Sequence, residues 1–288
     1  VSVSISADAT TICAGTNVTF TATPTNGGTT PAYQWKVNGA NVGGNSATYS
    51  SSALANGNTV TCQLTSNALC ATGNPATSNT VTMTVNPNVP ASVSISASAT
   101  TICSGTNVTF TATPANGGAT PSYQWKLNGV DVGTNSATYS NNALANGNQV
   151  SCVMTSNATC VSGSPATSNT VTMTVNPNLP VSVSISASAT SICPSTNVTF
   201  TATPVNGGTT PVYQWKLNGA DVGTNSATYT NGSLSNSDQV TCVLTSNATC
   251  ATGSPATSNA VTMTVNPNLP VSVSISADAT TICAGTNV

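Results

Sequence analysis

The chain has 288 residues, yet only three Lys, five Asp and no His, so 3% of it is charged where ordinary soluble domains carry roughly 25%. A net charge of −2 cannot neutralise a phosphate backbone, and without His or clustered carboxylates general acid–base chemistry has no agents. Nucleic-acid binding and enzyme activity are therefore excluded, no cofactor or metal is expected, no apolar run reaches the roughly 20 residues of a membrane span, and the first residues do not read as a signal peptide.

Period-two alternation dominates, which marks half-buried strands. Val1, Val3 and Ile5 alternate with Ser2, Ser4 and Ser6, then Val18, Phe20 and Ala22 with Thr19, Thr21 and Thr23. Tyr33, Trp35 and Val37 share a face opposite Gln34 and Lys36. Asn38-Gly39 follows, a pair suited to a two-residue type I′ hairpin turn. A short strand around Tyr49 precedes the inward rows Val60, Cys62, Leu64 and Val81, Met83, Val85. Asn26-Gly27-Gly28, Gly43-Gly44 and Asn56-Gly57 punctuate the runs, and no helical stripe occurs. Six or seven short strands at this spacing predict a β-sandwich with one core.

The pattern recurs every 90 residues. Cys13, Cys103, Cys193 and Cys283 keep the step, as do Cys62, Cys152 and Cys242, then Cys70, Cys160 and Cys250, and the tryptophans Trp35, Trp125 and Trp215. The expected domains are 1–90, 91–180 and 181–270, closed by Pro-rich connectors at 86–90, 176–180 and 266–270. Proline fixes φ and lacks an N–H, so each connector should be short and stiff. Residues 271–288 repeat 1–18 letter for letter and read as the first strand of a truncated fourth repeat. The expected architecture is all-β: tandem immunoglobulin-like sandwiches in an end-to-end rod.

The order TICAGTNVTFTATP, YQWKVNG, GNTVTCQLTSNALC, PATSNTVTMTVNP resembles the immunoglobulin-like repeats of giant bacterial surface adhesins, similar to those exported by gliding bacteria. The resemblance covers the whole chain three times over. It implies stalk or fibre material, with adhesive binding in other domains.

Three cysteines per repeat allow three single pairings within a domain. Cys62 lies on an inward row, and Ala22 stands where an antibody-type sandwich would place its partner across the core. Cys62, Cys152 and Cys242 are thus expected as buried free thiols. Cys13 and Cys70 flank strands near polar turns, so the expected structural disulfides are Cys13 with Cys70, Cys103 with Cys160 and Cys193 with Cys250; the resemblance implies the same pairing. Closing such a loop would stabilise a domain by roughly 4 kcal/mol and place the protein outside the reducing cytoplasm. Zinc is disfavoured, because all-thiolate sites want four ligands in close pairs and Cys62 and Cys70 stand eight apart.

The remaining candidates read structurally. Trp35, Trp125 and Trp215 are expected in the cores with Tyr33, not on a sugar-stacking platform. Lys36, Lys126 and Lys216 are expected on the solvated face, without the buried carboxylate that isopeptide chemistry needs. Asp131, Asp221 and Asp238 are expected as turn formers, too isolated for calcium. Thr19, Thr21, Thr23 and Thr80, Thr82, Thr84 are expected as flat outward ladders, which offer an alternative role in binding glycan or ice. The paucity of charge leaves sheet edges without the usual electrostatic protection, so packing with identical chains is expected. The sequence as a whole points to a secreted or surface-anchored bacterial filament or adhesin stalk.

Overall fold

A computed structural model describes residues 1–278, 280, 281, 283–285 and 287. The chain divides into two compact units, Val1–Val175 and Asn176–Val288. The first unit contains two hydrophobic cores, built around Trp35 and Trp125; the second contains one, around Trp215.

Ten strands build the first repeat. They are β1 (Ser2–Ala7), β2 (Thr11–Cys13), β3 (Val18–Thr25), β4 (Ala32–Val37), β5 (Ala40–Val42), β6 (Thr48–Ser51), β7 (Thr59–Thr65), β8 (Ala76–Thr77), β9 (Val81–Thr82) and β10 (Thr84–Asn86). One sheet runs β1-β3-β6 and the other runs β5-β4-β7-β8, with β9 also on β7. A parallel pair, β2 with β10, sets Ile12 beside Val85 and Cys13 beside Asn86. Asn38 and Gly39 both have positive φ (50° and 82°), the type I′ geometry that lets β4 turn directly into β5. The other repeats follow the same plan: the strands Ser92–Ala97, Val108–Ala115 and Thr138–Asn141 form one sheet of the second, as Ser182–Ala187, Val198–Val205 and Thr228–Asn231 do in the third.

Alternation places each core. Val18 and Phe20 of β3, Trp35 of β4 and Val60, Cys62 and Leu64 of β7 have no exposed surface. Phe20 and Trp35 meet across the sandwich with ring centroids 6.3 Å apart, and Tyr49 stacks on both, at 6.1 and 5.9 Å. Aromatic contacts of this kind add about 1 kcal/mol each beyond area burial. The Trp35 indole Nε1–H donates to the Ser46 carbonyl at 2.9 Å, so the buried ring leaves no polar atom without a partner. The same triad and bond recur at Trp125 and Trp215.

A device the alternation did not announce closes the edge of the larger sheet. Between β8 and β9 the ladder breaks, and Ser78 bridges the gap: its N–H donates to the Cys62 carbonyl while its Oγ accepts from the Cys62 N–H, both at 2.9 Å. Asn79 then reaches across to β1, its Oδ1 accepting from Ile5 N–H at 2.8 Å and its Nδ2 donating to Ile5 O at 3.1 Å. One side-chain amide thus imitates a neighbouring strand. Asn169 and Asn259 do the same to Ile95 and Ile185.

Three expectations require correction. Asp131 and Asp221 are not turn formers: they lie in strands directly opposite Lys126 and Lys216 and form ion pairs with them. The lysine and aspartate face each other because a two-residue hairpin turn fixes that register, and Asn41 holds the same place opposite Lys36. The row Thr80, Thr82, Thr84 is not one ladder, since Thr82 pairs with Thr59 in the large sheet whereas Thr84 pairs with Thr11 in the parallel pair. The buried Met83 between them turns the strand from one sheet to the other. Finally, the described residues of 271–288 form no strand, and Val271, Val273 and Ile275 are exposed.

By its strand order each repeat is an immunoglobulin-like β-sandwich, and the chain is a tandem array of them.

Candidate functional site: the joint between repeats

No cleft lined by catalytic groups appears among the described residues, and no three of His, Cys, Asp and Glu gather there. The chemistry of this chain is concentrated instead where the first repeat meets the second.

The connector Asn86–Pro90 does more than link. At its start, Ala14 N–H donates to Asn86 O at 2.9 Å, and the Asn88 side-chain amide donates to Ala14 O at 3.0 Å. Both contacts grip the residue that follows Cys13. At its end the connector becomes β11 (Val89–Pro90), which pairs in parallel with Val161–Ser162 of the second repeat. Val89 N–H donates to Cys160 O at 2.9 Å and Ala91 N–H to Ser162 O at 2.8 Å. Asn116 Nδ2 donates to Pro90 O at 2.7 Å. Proline supplies no N–H, but its carbonyl remains an acceptor, so it fits the edge of this small sheet.

These contacts bring Cys13 and Cys160 together, and they are joined by a disulfide with Cα atoms 5.1 Å apart. Cys160 adopts φ 58°, a left-handed conformation uncommon outside glycine, and is 8% exposed. Cys103 and Cys250 are also disulfide-bonded. The expected pairings of Cys13 with Cys70, Cys103 with Cys160 and Cys193 with Cys250 are therefore wrong: Cys160 is bonded to Cys13, and Cys70 and Cys193 are exposed free thiols. The reason is positional. Cys13 sits beside Asn86, where the chain leaves its repeat, whereas Cys70 sits near Thr72, whose carbonyl holds the N-terminal ammonium of Val1 at 2.7 Å, where the chain enters. A pairing within the repeat would have to join its two ends.

The second unit carries the same half-joint. Leu179–Pro180 pairs in parallel with Ala251–Thr252, Leu179 N–H donates to Cys250 O at 2.8 Å, and Asn206 Nδ2 donates to Pro180 O at 2.6 Å.

Cys62, Cys152 and Cys242 lie in the cores as free thiols, each opposite a tryptophan in register: Trp35, Trp125 and Trp215. Burial pushes each thiol up to about 11, partly offset by a backbone hydrogen bond from Gln34, Gln124 or Gln214. They stay protonated and inert at neutral pH.

Two solved structures are similar over most of the chain. The three N-terminal domains of the bacteriophage RB49 highly immunogenic outer capsid protein (Hoc) match at 15% identity, covering 92% of this chain and 99% of that one, with a TM-score of 0.34. The FN1–FN3 domains of chicken CNTN1 match at 12% identity, covering 90% and 97%, with a TM-score of 0.26. No protein-family model matches the chain, and no curated protein does.

Proposed function

We propose that the chain is a structural segment of an extracellular bacterial filament or adhesin stalk, built from repeats that are locked to their neighbours and associate with identical chains. The observation that carries this reading is the Cys13–Cys160 disulfide laid over the β11 strand pairing. A covalent bond between successive sandwiches limits how far they can separate under load, which suits a tether. Disulfides persist in oxidising surroundings, which supports an extracellular setting. No helix among the described residues is long and apolar enough to cross a membrane. The reading assigns the chain no catalysis; any adhesive target belongs to other domains.

Electron microscopy of material sheared gently from producing cells tests it. Filaments with an axial bead spacing near 40 Å, about the length of a seven- or eight-residue strand with its loops, are the expected result. Dispersed single particles would overturn it.

One observation favours a second reading. Thr19, Thr21 and Thr23 face outward beside Ser4, Ser6, Thr48 and Ser50, with Thr19 and Ser50 hydroxyls 2.9 Å apart. Such a flat hydroxyl face could bind glycan or ice, and a thermal-hysteresis or glycan-array signal abolished by Thr21→Lys would establish it. Threonine's strand propensity and polarity already account for the row.

A further inference from the structure

Each repeat has one sheet edge that lacks the usual protection. In the first repeat it is β6 (Thr48–Ser51), which ends the small sheet and, among the described residues, pairs with β3 alone. Thr138–Asn141 and Thr228–Asn231 hold the same place in the second and third repeats. The three strands read TYSS, TYSN and TYTN, without Lys, Asp or Pro. Edge strands that stay single are usually blunted by a charge, a proline or a bulge.

The register decides which main-chain groups face out. Ala22 N–H donates to Ala47 O at 2.8 Å, and an antiparallel ladder bonds alternate pairs, so Tyr49 and Ser51 turn their groups towards β3. Those of Thr48 and Ser50 turn away from it. Thr48 N–H is taken by Ser46 Oγ at 3.2 Å, which leaves Ser50 with both an outward N–H and an outward carbonyl. The bonds from Ala112 to Ala137 and from Ala202 to Ala227 repeat this geometry, so Ser140 and Thr230 stand as Ser50 does. A donor and an acceptor on one residue are self-complementary. A second identical strand, laid antiparallel, satisfies both and has its own two satisfied in return.

The opposite edge of the sandwich does not offer this. On β5 and its equivalents the outer positions are Asn41, Asp131 and Asp221. Pairing that edge with its own copy would set aspartate against aspartate in two repeats of three, and like charges directly opposite destabilise a strand pair.

We infer that the β6 edge of each repeat is a docking strand for the same edge on a second copy of this chain, paired antiparallel about Ser50, Ser140 or Thr230. The pairing joins two three-stranded sheets into one. Tyr49 is turned inward onto Phe20 and Trp35 and does not obstruct it, while Thr48 and Ser50 stand on the exposed face. The Thr19–Ser50 hydroxyl contact of 2.9 Å then continues onto Ser50 of the second copy, so the hydroxyl row runs across both chains. The inference rests on the self-association proposed above and names the surface that carries it.

Two sets of substitutions in the 288-residue chain test it. Sedimentation over a concentration series compares the parent with Ser50→Lys/Ser140→Lys/Thr230→Lys, which charges each edge and spares every main-chain bond to β3. The parent is expected to gain mass with concentration, and the variant to stay monomeric with an unchanged melting temperature. Directly opposed residues of a bonded antiparallel pair have Cα atoms about 5.5 Å apart, within the span of a disulfide. Oxidised glutathione is therefore added to an equal mixture of ¹⁵N-labelled and unlabelled Ser50→Cys/Ser140→Cys/Thr230→Cys, and links are mapped by mass spectrometry after trypsin and chymotrypsin digestion without reduction. Links joining positions 50, 140 and 230 to one another should form, half of them isotopically mixed, whereas Asn41→Cys/Asp131→Cys/Asp221→Cys should give none among its own positions. A lysine variant that associates as the parent does, the absence of mixed links, or links formed as readily at positions 41, 131 and 221 would overturn the inference and leave self-association standing. A parent chain that stays monomeric at every concentration would overturn both.

Discussion

Cys13 and Cys160 belong to successive repeats and are 147 positions apart, yet their sulfurs are bonded and their Cα atoms lie 5.1 Å apart. The bond lies beside the parallel pairing of Val89–Pro90 with Val161–Ser162, so covalent and hydrogen-bonded links share one joint. Load entering at Val1 can cross from position 13 to position 160 without stretching the residues between them.

Removing the bond should uncouple the first two repeats. Closing a loop of this length contributes about 5 kcal/mol in the chain-entropy treatment, a figure useful for scale because its mechanism is model-dependent. Scanning calorimetry of Cys13→Ser/Cys160→Ser is expected to show a lower melting temperature and a broadened or split transition. An unchanged profile would mean that the connector's hydrogen bonds alone hold the joint.

The core thiols set a pH dependence. Cys62, Cys152 and Cys242 are pushed up to about 11 by burial, against an ordinary thiol near 9. Between these values the unfolded chain releases protons that the folded chain keeps, so stability is fully present below pH 9 and falls as pH rises towards 11. Melting temperatures should drop over that window, and less steeply in a variant with all three changed to Ala. Iodoacetamide at pH 8 should label Cys70, Cys193 and Cys283 in the native protein but the three core thiols only after unfolding.

Magnitudes separate the Asn clamps from the surface ion pairs. Asn79→Ala strips partners from both backbone groups of Ile5 and is expected to destabilise the first repeat by about 2 kcal/mol. Asp131→Asn breaks an exposed pair with Lys126 and should change stability by less than about 1 kcal/mol. Chemical denaturation of the two variants checks the order.

Gly28 has φ 83°, and a Cβ there would meet Ala68 N at 2.7 Å and collide with Asn67 Oδ1. That oxygen accepts from Thr30 N–H, fixing the loop around the Cys70 end. Gly28→Ala is expected to destabilise the repeat by about 2 kcal/mol or more, from left-handed strain plus the clash, and thermal denaturation measures it.

Strand positions, core faces and the Asn38-Gly39 turn could be read from the letters, because a half-buried strand must alternate. Alternation alone puts Trp35 and Cys62 in the core, where both are fully buried. The partner of Cys13 could not be read: at a period of 90 residues Cys70 and Cys160 are the same position in successive copies, so spacing cannot choose between bonding within a repeat and bonding to the next one. The choice depends on which end of the sandwich each cysteine occupies, which only the strand pairings fix. The Asn79 clamp left a signal in the recurring Ser-Asn at 78–79, 168–169 and 258–259. Polar residues between strands look like ordinary turn formers, so alternation does not single the pair out. Asp131 presents the converse case: it looks like a turn residue beside Asn-Gly, and its cross-strand position opposite Lys126 depends on hairpin register.

Trypsin mapping of the unreduced chain gives the most direct measurement. Cleavage after Lys36, Lys126 and Lys216 puts Cys13 in fragment 1–36, Cys70 in 37–126 and Cys160 in 127–216. Mass spectrometry should find fragment 1–36 disulfide-linked to 127–216. Finding 1–36 linked to 37–126 through Cys70 would mean that each repeat closes on itself, and the covalent joint would not exist.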